Sequence, residues 1–242
     1  HTEALLHYTD VVHTVCQKGS DMRVVIFANG LLDDPAADVR AWTRPGDHFV
    51  AADGGARHAM AAGIRLHHVI GDMDSLDQGL RRRLEEMGAE FHIAPVAKDE
   101  TDLELALMWA AVQPLVHEIV VLGAFGGRPD QALANLLLLA LPELASHRVL
   151  MVDGRWSVRV IRGGERVTLR GTPGDYLSLI PLGGPASGVT TEHLAFPLAA
   201  ETLAFGPARG VSNRLEAEAV TVTVQEGLLW CFHERSRENG EL

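Results

Sequence analysis

Four acidic clusters lie in the first two-thirds of the chain: Asp53-Gly54-Gly55, Gly71-Asp72-Met73-Asp74-Ser75, Lys98-Asp99-Glu100-Thr101-Asp102 and Gly126-Gly127-Arg128-Pro129-Asp130. Carboxylates are hard oxygen ligands, and Mg²⁺ is usually held by one or two of them together with waters and the oxygens of a substrate's phosphates. Brought to one edge of a sheet, these clusters would hold a divalent cation against a polyphosphate. A phosphoryl or pyrophosphoryl transferase needs that arrangement.

Each motif has a second reading. Asp72 and Asp74 are two residues apart, so an extended backbone would point both to the same side; Asp and Ser also favour turns and caps, which accounts for the motif equally well. In the third cluster, Thr101 and Glu104 have capping-box spacing, and Leu103, Ala106, Leu107 and Ala110 form the apolar face of the helix that follows. Capping leaves Lys98, Asp99 and Asp102 unexplained, and these suit phosphate and metal at a helix start, where free N–H groups favour anions. In the fourth, Pro129 can begin a helix with Asp130 in its first turn, and Arg128 offers a bidentate fork for phosphate. No Gly-Lys-Ser/Thr follows, so this is not a P-loop, and Asn29-Gly30 and Asp53-Gly54-Gly55 both lack the third glycine of a dinucleotide fingerprint. There is no Gly-x-Ser-x-Gly elbow and no His-Glu-x-x-His; His1, His7, His13, His67 and His68 read as ordinary polar residues, not metal ligands.

The elements that must position these residues follow from periodicity. Apolar runs at Arg23 to Ala28, His48 to Ala52, His67 to Ile70, Glu90 to Ile93 and Glu118 to Leu122 alternate with segments of helical spacing such as Gly55 to Ala62 and Leu103 to Val112. Alternation of this kind predicts a three-layer α/β/α domain with a mostly parallel sheet, over residues 23–152. Ligands of such sheets sit outside the carboxyl ends of the strands, where all four clusters fall. From 153 to 242 the pattern changes to short alternating runs, Ser157 to Ile161, Arg166 to Leu169, Tyr176 to Pro181 and Val220 to Val224, punctuated by Gly and Pro; this predicts an all-β sandwich. Residues 1–22 read as an N-terminal extension without the layout of a secretory signal.

Composition excludes several classes. A net charge of −11 does not suit a nucleic-acid surface, and the basic run Arg81-Arg82-Arg83 precedes Glu85-Glu86 at helical spacing, as on a solvated helix face. The longest apolar stretch, Ala132 to Leu141, is broken by Asn135 and followed by Pro142, which suits a buried helix and not a membrane span. Cys16 and Cys231 are the only cysteines and lack both a disulfide framework and metal-ligand spacing, so a reducing cytoplasm is expected.

In order, and followed by Asn135, the four clusters resemble the catalytic-domain motifs of the thiamin pyrophosphokinase family. Ser178-Leu179-Ile180-Pro181-Leu182, Gly188-Val189-Thr190-Thr191-Glu192-His193-Leu194 and Gly210-Val211-Ser212-Asn213 resemble that family's thiamin-binding domain, so the resemblance runs from about Arg23 to Phe232. It implies transfer of the β,γ-pyrophosphoryl group of ATP to the hydroxyethyl oxygen of thiamin, giving thiamin diphosphate and AMP. It also implies Mg²⁺ and a homodimer with sites between subunits. Carried over by motif, Asp72, Asp74 and Asp102 hold Mg²⁺ with Asp99 close by, and one Asp orients the thiamin hydroxyl or takes its proton. Asn29, Asp53, Gly54, Lys98, Gly127, Arg128, Asp130 and Gln131 face the nucleotide, and Thr191, Phe196, Ser212 and Asn213 face thiamin, with Trp230 either a stacking or a core residue.

Two positions depart from the family pattern. Gln131 stands where the family commonly has His, and it cannot become cationic. His193 stands where Gly is common, which bears on the loop backbone. Two rival readings are a related Mg²⁺-dependent diphosphokinase acting on a pterin alcohol and a non-catalytic nucleotide or thiamin sensor.

Overall fold

Strands buried on both faces have no side left to be polar, and the runs of Val, Ile and Ala in the first half of the chain meet that demand. In the computed structural model, which describes residues 22–236, they form β1 (Met22–Phe27), β2 (His48–Ala52), β3 (His68–Gly71), β4 (Glu90–Ile93) and β5 (Val116–Leu122). These pair in parallel in the order β5-β1-β2-β3-β4, with Val24, Val25, Ile26 and Phe27 of the central β1 fully buried. The intervening helices are α1 (Pro35–Trp42), α2 (Ala56–Ala61), α3 (Gln78–Glu86), α4 (Asp102–Val112) and α5 (Pro129–Leu138). Asp34, Asp77 and Thr101 begin α1, α3 and α4, each accepting a hydrogen bond from an N–H of the first turn, at 3.0, 2.9 and 3.2 Å. Such caps are worth about 1 kcal/mol apiece. Near the start of β1 the buried Arg23 guanidinium bonds Asp47 at 3.0 Å and the Trp42 carbonyl at 2.6 Å, so its charge is paired inside the fold, although its Nε has no hydrogen-bond partner among the described residues.

The chain divides between Val149 and Leu150, within β6 (Arg148–Asp153). The second unit contains β7 (Trp156–Arg162), β8 (Arg166–Arg170), β9 (Tyr176–Pro181), β10 (Ala186–Glu192), β11 (Glu201–Leu203), β12 (Asn213–Arg214), β13 (Ala219–Thr223) and β14 (Leu228–Glu234). Its strands run antiparallel in the orders β12-β9-β14-β7-β6 and β11-β10-β13-β8. Residues two apart share a face, and one buried cluster unites Ile161, Leu179, Leu229 and Cys231 of the first set with Val189, Leu203, Val220 and Val222 of the second. This is a sandwich core.

Two local expectations change. The helix expected from Gly55 opens instead with a 3₁₀ turn, Asp53–Gly55, and becomes α-helical at Ala56. The apolar stretch 132–141 is not a buried helix: α5 ends at Leu138, and Leu133 and Leu137 are 53% and 48% exposed. The extension 1–22, with Cys16, falls almost wholly outside the described residues. No helix among the described residues is long and apolar enough to cross a membrane.

Candidate active site

Asp53 and Asp72 stand immediately after the carboxyl ends of β2 and β3. Oxygen atoms of Asp53, Asp72 and Asp74 lie within 4.8 Å of one another, a spacing that one cation could span. The approach is not made by an extended strand, as two-residue spacing suggests. Met73 is left-handed, with φ +65°, and the Asp74 N–H donates to Asp72 Oδ1 at 3.1 Å, so the motif is a turn whose carboxylates still converge. Asp53 is also left-handed, at φ +41°, and only 2% exposed. Its Oδ2 accepts from the Ser75 N–H at 3.2 Å, while its Oδ1 is buried with no hydrogen-bond partner among the described residues. A buried carboxylate oxygen left without a partner costs stability, and a cation would complete it. The donor set, all carboxylate oxygen, fits a hard divalent ion.

Lys98 is the cationic counterpart. Its Nζ donates to Asp72 Oδ2 at 2.8 Å and lies 3.1 Å from Asp102 Oδ1, close enough for an ion pair but misaligned for a hydrogen bond. Burial works against the ammonium, yet Asp72 and Asp102 outweigh it and raise the Lys98 pKa. The hydrogen bond from Lys98 in turn holds the Asp72 carboxyl below its ordinary value. Asp53 shifts the other way: burial raises its pKa, the Ser75 hydrogen bonds partly offset this, and Asp102 and Asp74 add to it. Asp102, expected among the metal ligands, thus pairs with Lys98 at the start of α4, and Asp53 completes the converging trio. Asp99 is exposed, and among the described residues no hydrogen bond or ion pair joins it to this group.

Glycines let the flanking loops close on one another. A Cβ on Gly30 would lie 2.3 Å from the Phe125 carbonyl oxygen, and one on Gly54 2.5 Å from the Asn29 amide, which places Asn29 beside the Asp53 turn. Gly30 and Leu31 donate to the carbonyls of Gly123 and Phe125 at 2.7 Å, and Asn135 donates to the Ala124 carbonyl at 2.7 Å, fastening α5 to the same loop. Gly127 is left-handed at φ +73° just before Arg128. Arg128 forks onto Asp130, and both side chains are exposed, as is Gln131; none of the three joins the carboxylate trio. Arg57 donates to the Ser75 carbonyl and so holds the turn that carries Asp74. The sequence holds no signal for Arg57, because an arginine in a first helical turn reads as solvated surface.

In the second unit Thr191 and Asn213 are buried, at 4% and 8% exposure, and their side chains bind backbone. Thr191 Oγ1 accepts from the Leu198 N–H at 2.8 Å. Asn213 Oδ1 accepts from the N–H groups of Phe196 at 3.0 Å and Arg214 at 2.9 Å, and its amide donates to the Phe196 carbonyl at 2.7 Å. Together they shape the loop that presents Phe196, which is 63% exposed. His193, at φ +63°, takes the left-handed conformation that glycine adopts without cost, and its carbonyl accepts from Glu216 at 2.9 Å. The turn is therefore kept at a penalty of roughly 1–2 kcal/mol. Ser212 is exposed and left-handed, held by its N–H to Ser178 Oγ at 3.0 Å. Trp230 is buried, on the strand face opposite Leu229 and Cys231.

Residues 41–151 match the family model described as thiamin pyrophosphokinase, catalytic domain, and residues 166–229 the one described as thiamin pyrophosphokinase, vitamin B1 binding domain. The thiamine pyrophosphokinase of Bacillus subtilis (strain 168) is 28% identical over 193 residues, covering 79% of this chain and 89% of that protein. A crystal structure of thiamine pyrophosphokinase from Bacillus subtilis superposes with a TM-score of 0.77 at 26% identity, covering 89% of this chain and all of that one. One from Geobacillus thermodenitrificans gives 0.76 at 27%, covering 90% and 99%. With family models matched in both units, over well more than half of its length, the chain belongs to the thiamin pyrophosphokinase family.

Proposed function

We propose that the protein transfers the β,γ-pyrophosphoryl group of ATP to thiamin, giving thiamin diphosphate and AMP. The observation that carries this reading is the convergence of Asp53, Asp72 and Asp74 beside Lys98 at the carboxyl ends of β2 and β3, in a chain with both of the family's domains. When bound there, Mg²⁺ supplies charge neutralisation to the polyphosphate and an orientation for in-line displacement. Asp53, Asp72 and Asp74 are the residues that would hold it, with Asp102 beside them. The Lys98 ammonium balances charge next to the transferred group. Arg128, released from Asp130, grips phosphate, and Asn29, Gly54, Gly127 and Gln131 face the nucleotide. One carboxylate of the acidic group orients the thiamin hydroxyl and accepts its proton as oxygen bonds to the β-phosphorus; the bond from that phosphorus to the α,β-bridging oxygen breaks, and AMP leaves with the oxygen.

The α/β domain, 23–152, takes the nucleotide, and the sandwich, 153–242, takes thiamin. The exposed Phe196 ring supplies a stacking face for a cationic aromatic substrate, Ser212, exposed, offers its hydroxyl to the same substrate, and Thr191 and Asn213 set the loop. Exposed Leu133 and Leu137 on α5 support a homodimer, and the free thiol of Cys231 supports a reducing cytoplasm. The test is direct: protein with Mg²⁺-ATP and thiamin yields AMP and thiamin diphosphate, whereas a hydroxymethylpterin in place of thiamin yields no ester. Absence of AMP with thiamin would leave a sensor, and turnover of the pterin would reassign the substrate.

A further inference from the structure

Away from the acidic trio, between β3 and its neighbour β4, a different set of donor atoms comes together. β4, at the edge of the sheet, pairs in parallel with β3, setting His68 opposite Glu90 and Ile70 opposite His92. Alternation along a strand puts Glu90 and His92 on one face, and the pairing register puts His68 on that face too. His92 Nε2 lies 3.0 Å from His68 Nδ1, and Glu90 Oε2 lies 3.5 Å from the same nitrogen. One donor atom from each of the three residues falls within 4.8 Å of the others. Ligands about 2.0–2.1 Å from a tetrahedral zinc ion stand about 3.4 Å apart, which these separations bracket.

The ordinary alternative is a hydrogen-bonded histidine pair beside a surface glutamate. That pair accounts for the 3.0 Å contact, but His68 Nδ1 carries only one hydrogen or one lone pair, so it leaves Glu90 Oε2, 3.5 Å away, without a hydrogen bond to it. A cation placed among the three atoms would engage all of them. The walls suit such an ion. The Trp109 ring of α4 lies 4.5 Å from His68 and 5.8 Å from His92, and His48 stacks on His67 at 4.1 Å with its own Nε2 buried and without a hydrogen-bond partner among the described residues. Burial depresses the pKa of His68 and of His92, so both imidazoles keep their lone pairs at neutral pH.

We propose that His68, Glu90 and His92 form a site for a borderline-soft divalent ion of the zinc class, distinct from the acidic trio, which clamps the edge strand β4 to β3. Imidazole donors select zinc, cobalt or nickel over Mg²⁺, so this site and the acidic trio take different metals. Motif spacing hides the site because its ligands come from two strands and meet only through their register. A fourth position remains for water.

The full chain, stripped with a chelator, is titrated with Co²⁺ as a spectroscopic stand-in for zinc. One equivalent is expected to produce visible d–d absorption that Zn²⁺ abolishes, and Zn²⁺ is expected to raise Tm. Glu90→Gln, at a side chain that is 72% exposed and so removable without harm to the fold, and His92→Gln should each weaken binding by about 10–100-fold or more, the range seen when even outer-shell partners of a metal site are lost. Replacing His1, His7 and His13 with Ala, or Asp74 with Asn, should leave the absorption unchanged. No absorption, or absorption that survives both Glu90→Gln and His92→Gln, would overturn the site.

Discussion

In the first unit Asp53 keeps one carboxylate oxygen buried without a hydrogen-bond partner among the described residues, while Asp72 and Asp74 bring theirs within reach of it; in the second unit Thr191 and Asn213, also buried, bind the backbone of a loop. Both sets are polar groups inside a fold, but they stand at opposite ends of a scale. An unmet buried acceptor costs on the order of 1–3 kcal/mol, and a fold that carries one keeps it where a ligand completes the valence. A met one holds shape. Thr191 and Asn213 thus position the Phe196 loop, while Phe196 and Ser212 are left open to solvent.

The sharpest way to break this contrast is Asp74→Asn, which keeps the shape and the hydrogen bond from Ser75 Oγ while removing charge from the trio. It should lower kcat by roughly 10²–10³-fold with Tm nearly unchanged, because the interaction lost is made to charge that develops in the reaction. Wild-type kcat would mean that the convergence has no catalytic purpose. Next in size, Asn213→Ala strands two N–H donors and one carbonyl and should cost about 2–3 kcal/mol in denaturant unfolding. Ser212→Ala, at an exposed position, should stay within about 0.5 kcal/mol and act instead on the KM for thiamin, leaving the KM for ATP alone. Equal destabilisation by both, with KM unmoved, would erase the distinction between scaffold and contact.

The smallest effect is a gain. Burial raises the pKa of Asp53 above its ordinary 3.8, so its contribution to stability is fully present below that value and is lost as pH rises through the folded-state pKa. Asp53→Asn removes the penalty, and Asn tolerates the left-handed backbone. In metal-free buffer the variant should therefore melt slightly higher than wild type at neutral pH, with the gain fading below about pH 4, and it should lose activity. A variant that melts lower at neutral pH would show that the unbonded oxygen is no burden.

Much of this is legible in the sequence. His48–Ala52 and Tyr176–Pro181 begin and end where their apolar runs do, since burial writes itself directly into residue type. The acidic motifs announced themselves by composition. The membership of the trio did not: Asp53 enters it from a 3₁₀ turn and Asp72 from a left-handed turn, and neither backbone state is encoded by spacing. Thr191 and Asn213 read as ligand contacts because their partners, Leu198 and Phe196, lie 7 and 17 residues away and are joined only by the folded loop.

Cys231, deep in the sandwich, has its thiol pushed up to about 12 by burial. Since only the thiolate reacts, an alkylating reagent can reach this sulfur only when the second unit opens. The rate at which a peptide containing Cys231 gains mass in iodoacetamide is therefore a clock for that opening, read from the natural chain without a dye. Thiamin analogues that occupy the unit would slow the clock, and so could be ranked by it.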